Sequence, residues 1–261
     1  WLEAQQILGK EVFTEKAGVN PVVIESVNDL KAVADNLAFS LSLYAGQMCT
    51  APQNFFIPAS GISTAEGHKS YEEVVAALVG AIEGIAGHPK MAPGVLAALQ
   101  NDQTADRIKQ VADSGKKVLV GSHGFTNEEF AEARTASPLL LEVDANDKAT
   151  YEKELFGPIG IVIKTKDAAE ALQLATELVA SHGAISCGVY STDSAFCELA
   201  ADRFAEVFVP VSFNLTGPIY LNQHAAFSDF HVTGGNAAGN ASFTDPNYIN
   251  RRFVWVGQRY A

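Results

Sequence analysis

Along this chain, short runs of β-branched and aromatic residues alternate with longer segments whose apolar residues recur at helical spacing. Few architectures accommodate that alternation. Pro21-Val22-Val23-Ile24, Asn54-Phe55-Phe56-Ile57-Pro58, Lys117-Val118-Leu119-Val120, Leu139 to Val143, Ile159 to Ile163, Ala184 to Tyr190 and Val207 to Val211 read as strands. Between them, Leu30, Val33, Ala34 and Leu37 make one helical stripe, which Asn28 or Asp29 caps. Val74, Leu78, Ile82 and Ile85 make another within Tyr71 to Ala86, and Ala168 to Val179 hold a third that ends at His182-Gly183. Asp106 to Ser114, closed by a left-handed Gly115, and Ser194 to Ala205 read as further helices. Strands that lack polar alternation are buried on both faces. The pattern predicts an α/β fold: a three-layer α/β/α domain with a mostly parallel sheet, in one domain over 1–261.

The last stretch breaks the pattern. Phe227 to Thr244 is rich in Gly, Asn and Ser and predicts an ordered surface loop. Phe253-Val254-Trp255-Val256 reads as a terminal strand, flanked by Arg251, Arg252 and Arg259. That setting suits an edge or an intersubunit position, so 251–261 is expected to serve oligomerisation. The opening Trp1-Leu2-Glu3-Ala4-Gln5-Gln6 has no Met and no signal-peptide layout, and reads as the inside of a helix in a longer chain.

Charge and cysteine content exclude several classes. Asp and Glu number 30 against 18 Lys and Arg, a net −12, which argues against a general nucleic-acid binder. No stretch approaches the ~20 apolar residues of a membrane span. Cys49, Cys187 and Cys197 are too few and too scattered for a disulfide framework, so a reducing cytoplasm is expected. The six histidines show no ligand spacing, and no metal site is expected.

Gly46-Gln47-Met48-Cys49-Thr50 is the segment with the most chemistry in it. A cysteine where a helix gives way to a strand can face a cleft, with backbone N–H groups near its sulfur. Those donors lower a thiol pKa and hold an oxyanion formed by attack on a carbonyl. The bland alternative is an inert core thiol. Cys187 and Cys197, on a predicted strand and helix, read as structural.

Two further segments join it: Glu15-Lys16-Ala17-Gly18-Val19-Asn20-Pro21 at one strand entrance, and Glu154-Leu155-Phe156-Gly157-Pro158 at another. Together the three resemble the signatures of the aldehyde dehydrogenase superfamily, whose base and nucleophile are spaced like Glu15 and Cys49, 34 positions apart. Leu99 to Ser122, with Gln103, Arg107 and Gly115, is similar to the family's helix and strand after the nucleophile. Asn214 resembles an asparagine near its C-terminal loop. The resemblance is collinear from about Glu15 onward.

By position, the resemblance implies that Cys49 is the nucleophile and Glu15 the general base that activates the deacylating water. It implies that Glu154 holds the nicotinamide ribose of NAD or NADP, with Phe156 packed beneath it. A thiol suits the task as a nucleophile and as a leaving group from a thioester. The family's cofactor module lies upstream of the Glu15 motif, so this chain is expected to carry the catalytic domain only and to show little activity alone.

The sequence departs from the family at Lys16-Ala17-Gly18, and at Ser228 and Asp229, where glycines are usual. The C-terminal half resembles the branch that acts in phenylacetate degradation on a ring-opened, CoA-linked semialdehyde. A CoA-acylating relative is the nearest rival, disfavoured by Glu15; a non-catalytic assembly domain with an inert thiol is the rival from another class.

Overall fold

The computed structural model describes residues 17–207 and 209–216 in full, and the backbone at 13–15, 241–243 and 256–258. Eight strands form the main sheet. In chain order they are β2 (Pro21–Ile24), β3 (Asn54–Pro58), β6 (Lys117–Val120), β7 (Leu139–Asp144), β8 (Ile159–Thr165), β9 (Cys187–Tyr190), β10 (Val211–Phe213) and β12 (Val256–Gln258). Their order across the sheet is β12-β10-β9-β2-β3-β8-β7-β6. All neighbours run parallel except β6, which lies antiparallel on β7 at one edge. Two small antiparallel pairs stand apart: β1 (Phe13–Glu15) with β11 (Ala241–Phe243), and β4 (Ile62–Thr64) with β5 (Gly67–Lys69).

Successive residues of the central strands point to opposite faces, as the pleat requires. Val22, Ile24, Phe55, Ile57 and Val162 enter the core under α1 (Leu30–Ser42) and α2 (Tyr71–Ala86). Val23, Phe56, Ile161 and Ile163 enter the opposite core, under α6 (Ala168–His182) and α7 (Ser194–Glu206). Three layers result, as expected. The helices begin where local chemistry starts them. Asp29 caps α1 by accepting from the Ala32 N–H, and Ser70 and Glu73 close a reciprocal capping box on α2.

The structure corrects several expectations. The strand expected at Val207 to Val211 is Val211–Phe213: Val207 ends α7, and Pro210 has no N–H to give a ladder. The helix expected at Asp106 is α4, Asp102–Ala112, started by Asn101, whose side chain accepts from the Thr104 N–H. Strand β9 starts at Cys187 rather than Ala184. Two short helices, α3 (Met91–Leu96) and α5 (Lys148–Tyr151), went unread. Ala241–Phe243, expected in a loop, is a strand. The rest of Phe227 to Thr244, and Phe253 to Trp255, lie outside the described residues. Among the described residues no helix is long and apolar enough to cross a membrane.

Candidate active site

The three motif segments all lead into parallel strands from their amino ends: residues 17–20 into β2, 47–53 into β3 and 152–158 into β8. Because β2, β3 and β8 are adjacent and parallel, the segments meet along one edge of the sheet. Cys49, Glu154 and Phe156 line one cavity there, with Gly18, Asn20 and Gln53 among its other walls. At about 20 Å³ it has room for roughly one water.

Cys49 sits in a tight turn closed by the Ala51 N–H donating to the Met48 carbonyl at 3.0 Å. It is partly exposed, whereas Cys187 and Cys197 are buried. Burial pushes the thiol pKa of both up, and Cys187 is the more strongly affected. Neither is poised to react at neutral pH. Exposure thus sets Cys49 apart from the other two thiols.

The chain reaches that turn through an unusual backbone. After α1, Tyr44 and Ala45 adopt left-handed angles (φ 53° and 54°), and Gly46 follows at φ 60°. Such a run costs about 1–2 kcal/mol for each residue with a side chain. Packing holds it: Ala45 is fully buried in a third small core with Leu99, Ile108, Leu139 and Ile159. Gln47 locks it from the other side, donating to the carbonyls of Tyr44 (2.9 Å) and Ala98 (3.0 Å) and accepting from the Gln100 N–H at 2.9 Å. Tyr44 is 53% exposed, so its side chain contributes little to offset its backbone cost. Tyr44→Asn, which tolerates the left-handed region, should stabilise the fold by about 0.5–1 kcal/mol and raise the thermal midpoint by about 1–4 °C.

The Glu154 segment is fastened as firmly. Gln53, buried at the entry to β3, donates to the Lys153 carbonyl at 2.9 Å and accepts from the Leu155 N–H at 2.6 Å. One carboxamide thus clasps the backbone on both sides of Glu154. Arg107, on α4, donates to the Phe156 carbonyl at 2.6 Å. Gly46 and Gly157 bring the two segments together. A Cβ on Gly46 would stand 2.7 Å from the Gly157 carbonyl carbon and 2.9 Å from Pro158 Cα.

Glu15 ends β1, opposite Ala241, three positions before the cavity-lining Gly18. Its side chain lies outside the described residues. Asn214 does not join the site. It follows β10 at the carboxyl edge of the sheet, where its side chain bonds both the N–H and the carbonyl of Ser191. Among the described residues no group of three or more His, Cys, Asp or Glu is placed to hold a metal ion.

Sequence reading missed Asn20 and Gln53 and quoted Arg107 only for its place in a helix. A signal existed in two carboxamides set against proline at strand entrances, Asn20-Pro21 and Pro52-Gln53. A strand entrance that is buried must satisfy its backbone groups with side chains.

Known proteins share this framework. An NAD-dependent aldehyde dehydrogenase from Burkholderia multivorans superposes with a TM-score of 0.84 at 46% identity, over 93% of this chain and 43% of that one. A vanillin dehydrogenase from Pseudomonas fluorescens is 26% identical over 200 residues, 74% of this chain and 37% of that protein. A salicylaldehyde dehydrogenase from Pseudomonas sp. (strain C18) is 25% identical over 190 residues, 70% of this chain and 35% of that protein. The chain thus spans less than half the length of these relatives. Residues 3–241 match the model of the aldehyde dehydrogenase family. With nine-tenths of its length inside that match, the chain belongs to the aldehyde dehydrogenase family.

Proposed function

We propose that this chain is the catalytic portion of an NAD(P)-dependent aldehyde dehydrogenase in which Cys49 is the nucleophile. One observation carries the reading: the only partly exposed thiol among the three shares a cavity with Glu154 and Phe156, at the meeting of three fastened loops. The Cys49 thiolate attacks the aldehyde carbon and becomes a thiohemiacetal. NAD or NADP, held at the wall that Glu154 and Phe156 form, would supply the hydride acceptor, and loss of hydride from the thiohemiacetal would leave a thioester on Cys49. Glu15 then takes a proton from water as it attacks that thioester, releasing a carboxylate and the thiol.

The types of residue present suit a nicotinamide ribose lying at the mouth of the cavity rather than within it. A carboxylate accepts hydrogen bonds from sugar hydroxyls, and an aromatic ring packs against a sugar face. Glu154 and Phe156 offer both on the wall they share with Cys49. The main seat of the cofactor, in this reading, is a module beyond these 261 residues, and the chain alone turns over little.

The substrate we infer is an aldehyde from aromatic breakdown, with the CoA-linked semialdehyde of phenylacetate degradation as the specific candidate. The names of the salicylaldehyde and vanillin dehydrogenases support the aromatic origin. The intact enzyme is read as a cytoplasmic homo-oligomer, with 251–261 contributing to assembly. β12 supports that role in part, because it occupies the sheet edge beside β10.

Iodoacetamide at neutral pH tests the central point. Cys49 should be carboxamidomethylated stoichiometrically and at least about tenfold faster than Cys187 or Cys197, read by peptide mass spectrometry. Equal rates for the three, or a silent Cys49 in the folded chain, would mean an inert thiol and the assembly reading instead.

A further inference from the structure

We propose that Asn20 is the positioning residue of the nucleophile: it turns the backbone carbonyls of the Cys49 turn inward and so keeps their negative ends away from the sulfur. This rests on the reading of Cys49 as the reacting thiol.

Asn20 is only 4% exposed, yet its carboxamide is fully used. Nδ2 donates to the Cys49 carbonyl at 2.8 Å and to the Ala51 carbonyl at 2.9 Å. Oδ1 accepts from the N–H groups of Ile185 at 3.1 Å and Ser186 at 3.3 Å. Only this orientation of the amide satisfies all four neighbours, because two are carbonyls and two are N–H groups. The carbonyl between them, that of Thr50, accepts from the buried Ser186 hydroxyl at 3.4 Å. Three successive carbonyl oxygens, 49 to 51, therefore end on interior donors. The backbone carbonyl of Asn20 in turn accepts from the Gln53 N–H at 3.0 Å, so the same residue also holds the entry to β3.

The electrostatic consequence follows from the planar peptide. A carbonyl that points inward directs the next N–H the opposite way. Three carbonyls held inward remove three partial negative charges from the space around a thiolate, and a thiolate is favoured where such charges are absent. Released, the turn could swing those oxygens toward the sulfur, disfavouring the thiolate and moving Sγ off the attack line.

No other side chain of this size does the same work. Aspartate matches the shape but has no donors for the two carbonyls and adds a charge. Serine and alanine leave several buried backbone groups unmatched.

Two measurements on the folded chain test the proposal together. The first is hydrogen exchange of the Ala51 amide, which reports the turn without using the thiol's reactivity. The second is the pH dependence of Cys49 alkylation. In Asn20→Asp, Ala51 should lose protection while β3 and β8 amides keep theirs. The midpoint of Cys49 alkylation should move up by about one pH unit, a tenfold slower reaction at neutral pH. Ser186→Ala, which adds no charge and removes one bond, should shift the midpoint the same way by a few tenths of a unit. It also serves if the aspartate variant unfolds, which alkylation of Cys197 would reveal.

Unchanged exchange in a folded Asn20→Asp would overturn the proposal. So would lost protection with an unmoved Cys49 profile, since Asn20 would then hold the turn without serving the thiol. If wild-type Cys49 proves unreactive, the catalytic reading fails, while the exchange measurement still decides whether Asn20 holds the turn.

Discussion

Gly46→Ala will cost about 3 kcal/mol of stability and push apart the loops that carry Cys49 and Glu154. The methyl group would enter the left-handed region, at about 1–2 kcal/mol, and overlap the backbone of Gly157 and Pro158 at 2.7 and 2.9 Å. Backbone atoms have no rotamer to yield, so the two segments must separate, at about 1–3 kcal/mol more. That gap opens between the loops carrying Cys49 and Glu154. A displacement of roughly 1 Å between reacting groups lowers turnover by about 100-fold. Thermal unfolding and the rate of Cys49 alkylation read both effects. Gly80→Ala is the control: Gly80 is exposed within α2, and its new Cβ meets nothing within 4 Å. It should stabilise by about 0.5–1 kcal/mol. A neutral outcome at Gly46 would show that the two loops do not depend on their close contact.

The second large effect concerns the chemistry proposed above and is measured in the full-length protein supplied with an aldehyde and NAD or NADP. Cys49→Ala should lower aldehyde oxidation by at least about 10⁴-fold, because no other thiol among the three is available to form the acyl intermediate. Glu15→Gln should behave differently. Hydride transfer should still occur once per site and then stall, giving a burst of reduced cofactor followed by turnover slower by about 10²–10⁴-fold. The accumulated thioester would be visible as a mass increase on the peptide that contains Cys49. Added CoA distinguishes the two fates of that thioester: if it restores rapid turnover in Glu15→Gln, acyl transfer to a thiol is open to this site. A Glu15→Gln enzyme with full activity and no burst would remove Glu15 from the reaction.

Legibility from sequence followed how local each determinant is. Helix α2 was read to the residue because the stripe of Val74, Leu78, Ile82 and Ile85 writes its face, and the capping box of Ser70 and Glu73 starts it at the same place. Strand β3 was read equally well, since Phe55 to Ile57 have no polar escape and Pro58 closes the run. Helix α4 was started four residues late, because few apolar residues mark its first turn and its true signal is the Asn101 cap. Strand β10 was shifted because Val207 and Val209 look like strand residues, whereas a helix end and Pro210 decide the register.

The site divides the same way. Cys49 and Glu154 stood out through their motifs, but the residues that hold them, Asn20, Gln53 and Arg107, act across 29 to 102 positions of sequence. Contacts of that range leave no periodic trace. The left-handed Tyr44 and Ala45 were invisible for another reason: neither residue type announces a positive φ, and only the packing of Ala45 and the bonds of Gln47 impose one.

Cys49 and Glu154 both hang from the amino ends of strands, β3 and β8, and the opposite rim carries the loops that leave their carboxyl ends. The hairpin of β4 and β5 grows from that rim, directly after β3, and its tip at Ala65 and Glu66 faces solvent on the far side from Cys49. Such a layout lets a lineage lengthen or recast half its loops, acquiring new partners or new surfaces, without retuning the thiol. For an engineer, the same tip is the place to graft a peptide or tether.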